Sequence, residues 1–231
     1  MDVNKNSYTF MFAAVMVVVV AALLSFAATS LKPMQDENVK NEKMQNILKS
    51  IGLEVDREGA QTLYDATIKQ ELVVTNGKLV EGMVAFDIDM AKELKKAPAE
   101  RSAPLYIAES DGKTYFILPL RGKGLWGPIW GYMALEGDRS TVFGAVFDHK
   151  TETPGLGAEI ATPIFMDQFP DKKMQDASGK FVNIRVMKGN AQGDHQVDGI
   201  SGGTITSVGV QDMIDDCMES YSEFLKSYAL N

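Results

Sequence analysis

The stretch from Phe10 to Ala28 constrains this chain more than any other, because it carries no charge and Ser25 is its one polar residue. As a helix rising about 1.5 Å per residue it reaches roughly 28 Å, close to the hydrocarbon thickness of a bilayer. The valine run Val17 to Val20 is compatible with a helix there, since lipid offers the backbone no other hydrogen-bond partner. Tyr8 and Lys32 fall at interface depths. A cleaved signal peptide is the alternative, and the small residues around Ala27-Ala28-Thr29 permit cleavage. The apolar core of a signal peptide usually runs about 7–15 residues, shorter than this one, so a retained anchor is expected. Orientation does not follow from charge. Lys5 precedes the segment while Lys32, Lys40 and Lys43 follow it, which taken alone would place the remainder inside.

The expected division is an anchor over 1–32 and one domain over 33–231, long enough to bury a real core. The net charge of -8 argues against nucleic acid and against a polybasic membrane-surface mode. Cys217 is the single cysteine, so an internal disulfide and a cysteine-ligated cluster are both impossible. As part of a helix it reads as a small buried hydrophobe.

Lys32-Pro33 is expected to end the anchor, with an amphipathic helix from Asp36 to Ile51 and a second from Glu58 to about Lys69. Asn76-Gly77 and Asp111-Gly112 each sit between apolar runs and predict two hairpins. A short helix over Asp87 to Lys96 falls between them. Strands are expected at Ile129 to Leu135, Thr141 to Phe147 and Lys180 to Met187, and a helix at Ala158 to Phe169 that Pro163 either starts or breaks. The longest helix outside the anchor runs from Thr204 to about Ala229, with Val208, Met213, Ile214, Met218, Tyr221 and Leu225 as its buried stripe. Strands and helices do not alternate regularly. The fold class is therefore α+β: one N-terminal transmembrane helix, then a mainly antiparallel sheet domain with flanking helices.

Three glycine-rich segments are candidates for a shared site. Arg121 to Gly131 combines four glycines with Trp126 and Trp130, which suits close approach to a flat ligand or a packed turn equally. Asp148 to Gly157 follows a strand and joins polar groups to a Pro154-Gly155 corner. His149 within it reads as a packing residue rather than a base. Asp198-Gly199-Ile200-Ser201-Gly202-Gly203-Thr204-Ile205-Thr206-Ser207 runs directly into the C-terminal helix. A helix N-terminus presents unpaired N–H groups and suits a phosphate, while Ser201 is placed to cap it. Physics alone leaves an anion site and an ordinary capped helix start equally open. The spacing of a nucleotide-binding phosphate loop is absent.

This last segment resembles the flavinylation motif of FMN-binding domains, Asp-x-x-Ser/Thr-Gly-Ala-Thr, with Gly203 where alanine is usual. In that family a flavin transferase joins the phosphate of FMN, taken from FAD, to the motif's threonine. The resemblance implies a phosphoester on Thr204, with Asp198, Ser201, Gly202, Gly203 and Ile205 around it, and leaves Thr206 as a fallback. With the anchor, the glycine-tryptophan loop and the Glu152-Thr153-Pro154-Gly155-Leu156-Gly157 stretch in order, the chain resembles the C subunits of the sodium-translocating NADH:quinone reductases over nearly its whole length. That resemblance implies a redox subunit without stand-alone activity, in a bacterial cytoplasmic membrane, its domain on the outer face and other subunits as partners. It further implies that Glu152, Thr153 and Leu156 contact the isoalloxazine and that Lys188 balances charge on the reduced ring. Trp126 is left either lining the flavin or facing a neighbour in the complex.

Three rival readings differ in what they require of the sequence. The flavin subunit of the homologous ferredoxin:NAD oxidoreductase complex shares the anchor and motif, but the Lys123-Gly124-Leu125-Trp126 loop and the length favour the quinone reductase. A flavin-free membrane-tethered scaffold is hinted at by Gly203 alone. A metal-dependent hydrolase would draw on His149, His195, Asp148 and Asp194, whose spacing matches no zinc signature.

Overall fold

Alternation with period two governs the middle of the chain. In the computed structural model, which describes residues 5–228, six strands form one sheet. They are β1 (Ile68–Thr75), β2 (Lys78–Leu79), β3 (Ala103–Ser110), β4 (Lys113–Lys123), β5 (Pro128–Leu135) and β6 (Val142–His149). Their order is β2-β1-β3-β4-β5-β6, and each neighbouring pair is antiparallel. Leu105, Ile107, Phe116, Leu118, Met133 and Leu135 face one core. Their sequence neighbours Tyr106, Ala108, Tyr115, Ile117, Tyr132 and Ala134 face another. The sheet is thus buried on both sides. Both expected hairpins form, and their turn residues have the positive φ that this strand twist requires: 50° and 71° at Asn76 and Gly77, 50° and 73° at Asp111 and Gly112.

Helices close the two cores. The end of α1 (Asn6–Ser50) supplies Met44, Ile47 and Leu48 to the second core, together with Ala60 and Tyr64 of α2 (Arg57–Thr67). The Asp56 carboxylate starts α2 by accepting the Gly59 N–H at 2.8 Å. The short helix α3 (Met90–Glu93) is capped in the same way by Asp89. The first core is closed by α5 (Thr204–Ser227), through Val210, Met213, Ile214, Met218, Tyr221 and Leu225. Val208 departs from the expected stripe and is exposed. Cys217 is buried in the same helix.

Three local expectations are corrected. Lys32-Pro33, expected to end the anchor, lies instead within α1, which is one continuous helix with Pro33 inside it. Proline removes one N–H and crowds one carbonyl, and a Lys32–Asp36 ion pair bridges that turn. Among the described residues, α1 is the helix long and apolar enough to cross a membrane. The expected helix over 158–169 is a 3-10 turn, Gly157–Ala161, followed by α4 (Pro163–Met166), because Pro163 restarts the helix at its first position. The expected strand over 180–187 contracts to β7 (Arg185–Met187), which pairs in parallel with β8 (Gln196–Asp198). Earlier in that segment the backbone is engaged locally: Val182 donates to the Met174 carbonyl and Asp176 to the Lys180 carbonyl.

Candidate functional site

β8 delivers the chain into the turn that opens α5. Gly199 donates to the Met187 carbonyl at 2.7 Å, continuing the β7–β8 ladder. Gly202 then takes φ 75°, a left-handed conformation that glycine adopts freely. The residue before the helix is Gly203, which offers no side-chain cap. Ser201, expected as the cap, lies in the turn and is exposed. The N–H groups of the first helical turn are therefore not met by a capping side chain and remain available to an anion. At Gly203, a Cβ would lie 3.0 Å from the Leu156 carbonyl oxygen, so the two loops touch closely where the motif departs from its usual alanine.

The two threonines of the motif have opposite environments. Thr204 is exposed, whereas Thr206 is buried and donates to Glu152 Oε2 at 2.6 Å. Ser207, which sequence reasoning did not single out, accepts from the Ile200 N–H and donates to the Gly203 carbonyl. Asp198 is also tied into the surrounding chain. Its carboxylate accepts the Ala191 N–H at 2.6 Å, and its backbone exchanges two hydrogen bonds with the Gln168 amide.

Two cavities flank Thr204. One, of about 240 Å³, is lined by Leu125, Trp126, Glu152, Thr153, Leu156 and Ile205 among others. The other, of about 340 Å³, is lined by Val186, Met187, Lys188, Ser201 and Val208 among others. Gly202 and Thr204 belong to both. Thus Glu152, Thr153, Leu156 and Trp126 are brought together, Lys188 lies across Thr204 from them, and Asp198 lines neither cavity. Trp126, Ile205 and Leu156 are large apolar side chains left exposed here, at 66%, 60% and 43%. A more open cleft of about 610 Å³ lies beside Arg121, Lys123, Asp212 and Met213, and it includes none of the motif's residues from Asp198 to Ser207.

Glu152 is buried in the wall of the smaller cavity, where its Oε1 accepts the Trp126 N–H at 2.8 Å. Burial by itself would raise its pKa. The Thr206 hydroxyl, the Trp126 and Gly127 N–H groups and the nearby His149 outweigh that and hold it below the usual glutamate range. His149 acts as a buttress: its Nδ1 accepts the Glu152 N–H at 3.3 Å. The donor set and shape fit a flavin mononucleotide. Exposed apolar walls suit a flat aromatic ring, and an uncapped helix start beside a hydroxyl suits its phosphate.

Comparison with known proteins agrees. The FMN-binding domain family matches residues 124–219. The C subunit of the Na(+)-translocating NADH-quinone reductase of Pseudomonas aeruginosa is 34% identical, over 91% of this chain and 90% of that protein. Its counterpart in Haemophilus ducreyi is 32% identical, over 90% of this chain and 88% of that protein. The crystal structure of the counterpart from Parabacteroides distasonis superposes with a TM-score of 0.79 at 42% identity, covering 86% of this chain and 98% of that one. Likeness of this extent, 34% identity over 91% of the chain together with the shared fold, makes the chain a member of the C-subunit family of the Na(+)-translocating NADH-quinone reductases.

Proposed function

We propose that this chain carries FMN as a phosphoester on Thr204 and relays electrons within a sodium-translocating NADH:quinone reductase. The observation that carries this reading is the position of Thr204: an exposed hydroxyl at the first residue of α5, on the shared wall of two cavities. FMN supplies reversible electron transfer when bound, and the protein supplies binding, orientation and electrostatic tuning.

Attachment requires the Thr204 oxygen to form a bond to the flavin-side phosphorus of FAD. The pyrophosphate linkage breaks, AMP leaves, and the hydroxyl proton passes to solvent or to the flavin transferase. Gly202 and Gly203 leave the approach clear of side chains, and the first-turn N–H groups of α5 stabilise the phosphate. Leu125, Trp126, Leu156 and Ile205 supply apolar surface for the ring. Thr153 borders it, and the Lys188 ammonium balances the negative charge that reduction brings.

Residues 1–32 anchor the chain, through 10–28, in the bacterial cytoplasmic membrane, and 33–231 form the flavin domain on its outer face. A covalent link suits that side, where lost FMN is not readily replaced. Other subunits of the complex deliver and remove the electrons. The test is intact mass after co-expression with a flavin transferase, for wild type and Thr204→Val. An FMN-sized increment in the wild type that vanishes in the variant is expected. An unmodified wild type beside a transferase shown active on another substrate would sink the reading and favour a flavin-free scaffold.

A further inference from the structure

One carboxylate joins three segments that are far apart in sequence. Trp126 lies in the loop between β4 and β5, Glu152 in the loop after β6, and Thr206 in the first turn of α5. Glu152 is only 5% exposed. It accepts from Trp126 N at 2.8 Å and from Thr206 Oγ1 at 2.6 Å. The surroundings are shaped to admit it. A Cβ on Gly124 would stand 2.6 Å from its Oε1, and one on Gly157 would stand 2.4 Å from its Oε2. Two glycines from different loops therefore leave the volume that this side chain fills. Trp126, although its backbone is tied down here, keeps an exposed ring on the rim of the same cavity.

Resting on the flavin reading above, we propose that Glu152 is the positioning residue of the site and its fixed negative charge: it clamps the Trp126 loop to the first turn of α5 and biases the bound flavin toward its oxidised form. Reduction adds negative charge to the ring. A carboxylate in the wall of a partly enclosed cavity opposes that change more strongly than one in water would. The hydrogen bonds from Thr206, Trp126 and Gly127 keep the group ionised, so the bias persists at neutral pH. Lys188, in the cavity on the other side of Thr204, acts in the opposite sense.

The experiment uses the full-length chain as wild type, Glu152→Ala and Glu152→Gln, each prepared with and without flavin. Amide hydrogen exchange on the flavin-free chain reads the clamp. In Glu152→Ala the Trp126 and Gly127 amides should exchange at least about tenfold faster, while Ile117 in β4 is unchanged. If Glu152→Ala does not fold, Glu152→Leu gives the same reading, because it retains bulk and can accept neither the Trp126 nor the Gly127 N–H. Redox titration of the flavin-loaded chain reads the charge. In Glu152→Gln the reduced-to-oxidised ratio at a given potential should rise about tenfold, equivalent to about 30 mV for a two-electron couple. Unchanged exchange at Trp126 and Gly127 would overturn the clamp, and a midpoint that stays or falls would overturn the charge effect. A wild type that accepts no flavin refutes the flavin reading instead, while the exchange result still decides the clamp.

Discussion

Ser207 Oγ accepts the Ile200 N–H at 2.9 Å across the turn that leads into α5. The same hydroxyl donates to the Gly203 carbonyl, and Gly203 N–H donates back to the Ile200 carbonyl. The turn is closed upon itself, and Thr204 is left at its outer edge. Ser207→Ala removes a buried group that serves as both donor and acceptor. It should cost about 1–3 kcal/mol of stability and lower the fraction of chain that takes up FMN. Denaturant unfolding and intact mass measured on the same preparation check both effects. Full stability and full uptake would show that the backbone holds the turn unaided.

Thr204 and Thr206 separate attachment from stability. Thr204 is exposed, so Thr204→Val should change stability by no more than about 0.5 kcal/mol while abolishing FMN uptake. Thr206→Val strips a donor from a buried carboxylate and should cost about 1.5–3 kcal/mol, yet the FMN-sized mass should still appear. The pair of variants is decisive because the outcomes run in opposite directions. FMN lost from Thr206→Val and retained by Thr204→Val would reverse the assignment.

Much of this was legible in the sequence where the signal was local. Asn76-Gly77 and Asp111-Gly112 predict hairpins because their residue types permit the positive φ angles found there. The stripe of α5 predicts its buried face in the same local way. Val208 fails because helical spacing cannot tell a core from a cavity wall, and it lines the larger of the two cavities that flank Thr204. Ser201 fails as a cap because Gly203, two residues later, occupies the cap position immediately before the helix. The clamp at Glu152 depends on a residue 54 positions away, and no local pattern announces such a pair. The glycines at 124 and 157 were visible as glycines, but the carboxylate they make room for was not.

The Tyr221 hydroxyl lies 2.9 Å from the Pro104 carbonyl and 3.0 Å from the Pro119 carbonyl, joining α5 to β3 and β4 in the centre of the core. The hydroxyl has a single proton, which the two carbonyls share. Tyr221→Phe should keep the ring packing and lose only the hydrogen bonds, at a cost of about 1–3 kcal/mol. A denaturant midpoint indistinguishable from wild type would show that those carbonyls are satisfied elsewhere.

Asp215, also on α5, predicts a pH dependence of the opposite sign to ordinary acid denaturation. Its Oδ1 is buried without a hydrogen-bond partner among the described residues. Burial and the neighbouring Asp212 charge raise its pKa to about 6, against the smaller opposing effects of Asn183 and Arg185. The folded pKa lies above the ordinary carboxylate value near 3.8, so the folded state binds this proton more tightly than the unfolded chain does. The favourable contribution is full below about pH 4 and fades as pH rises through about 6. Asp215→Asn removes that titration. The difference in denaturant midpoint, variant minus wild type, should therefore grow between about pH 5 and pH 7 in the variant's favour. A constant difference across that range would mean that Asp215 titrates as an ordinary exposed carboxylate, with its buried oxygen reached by solvent.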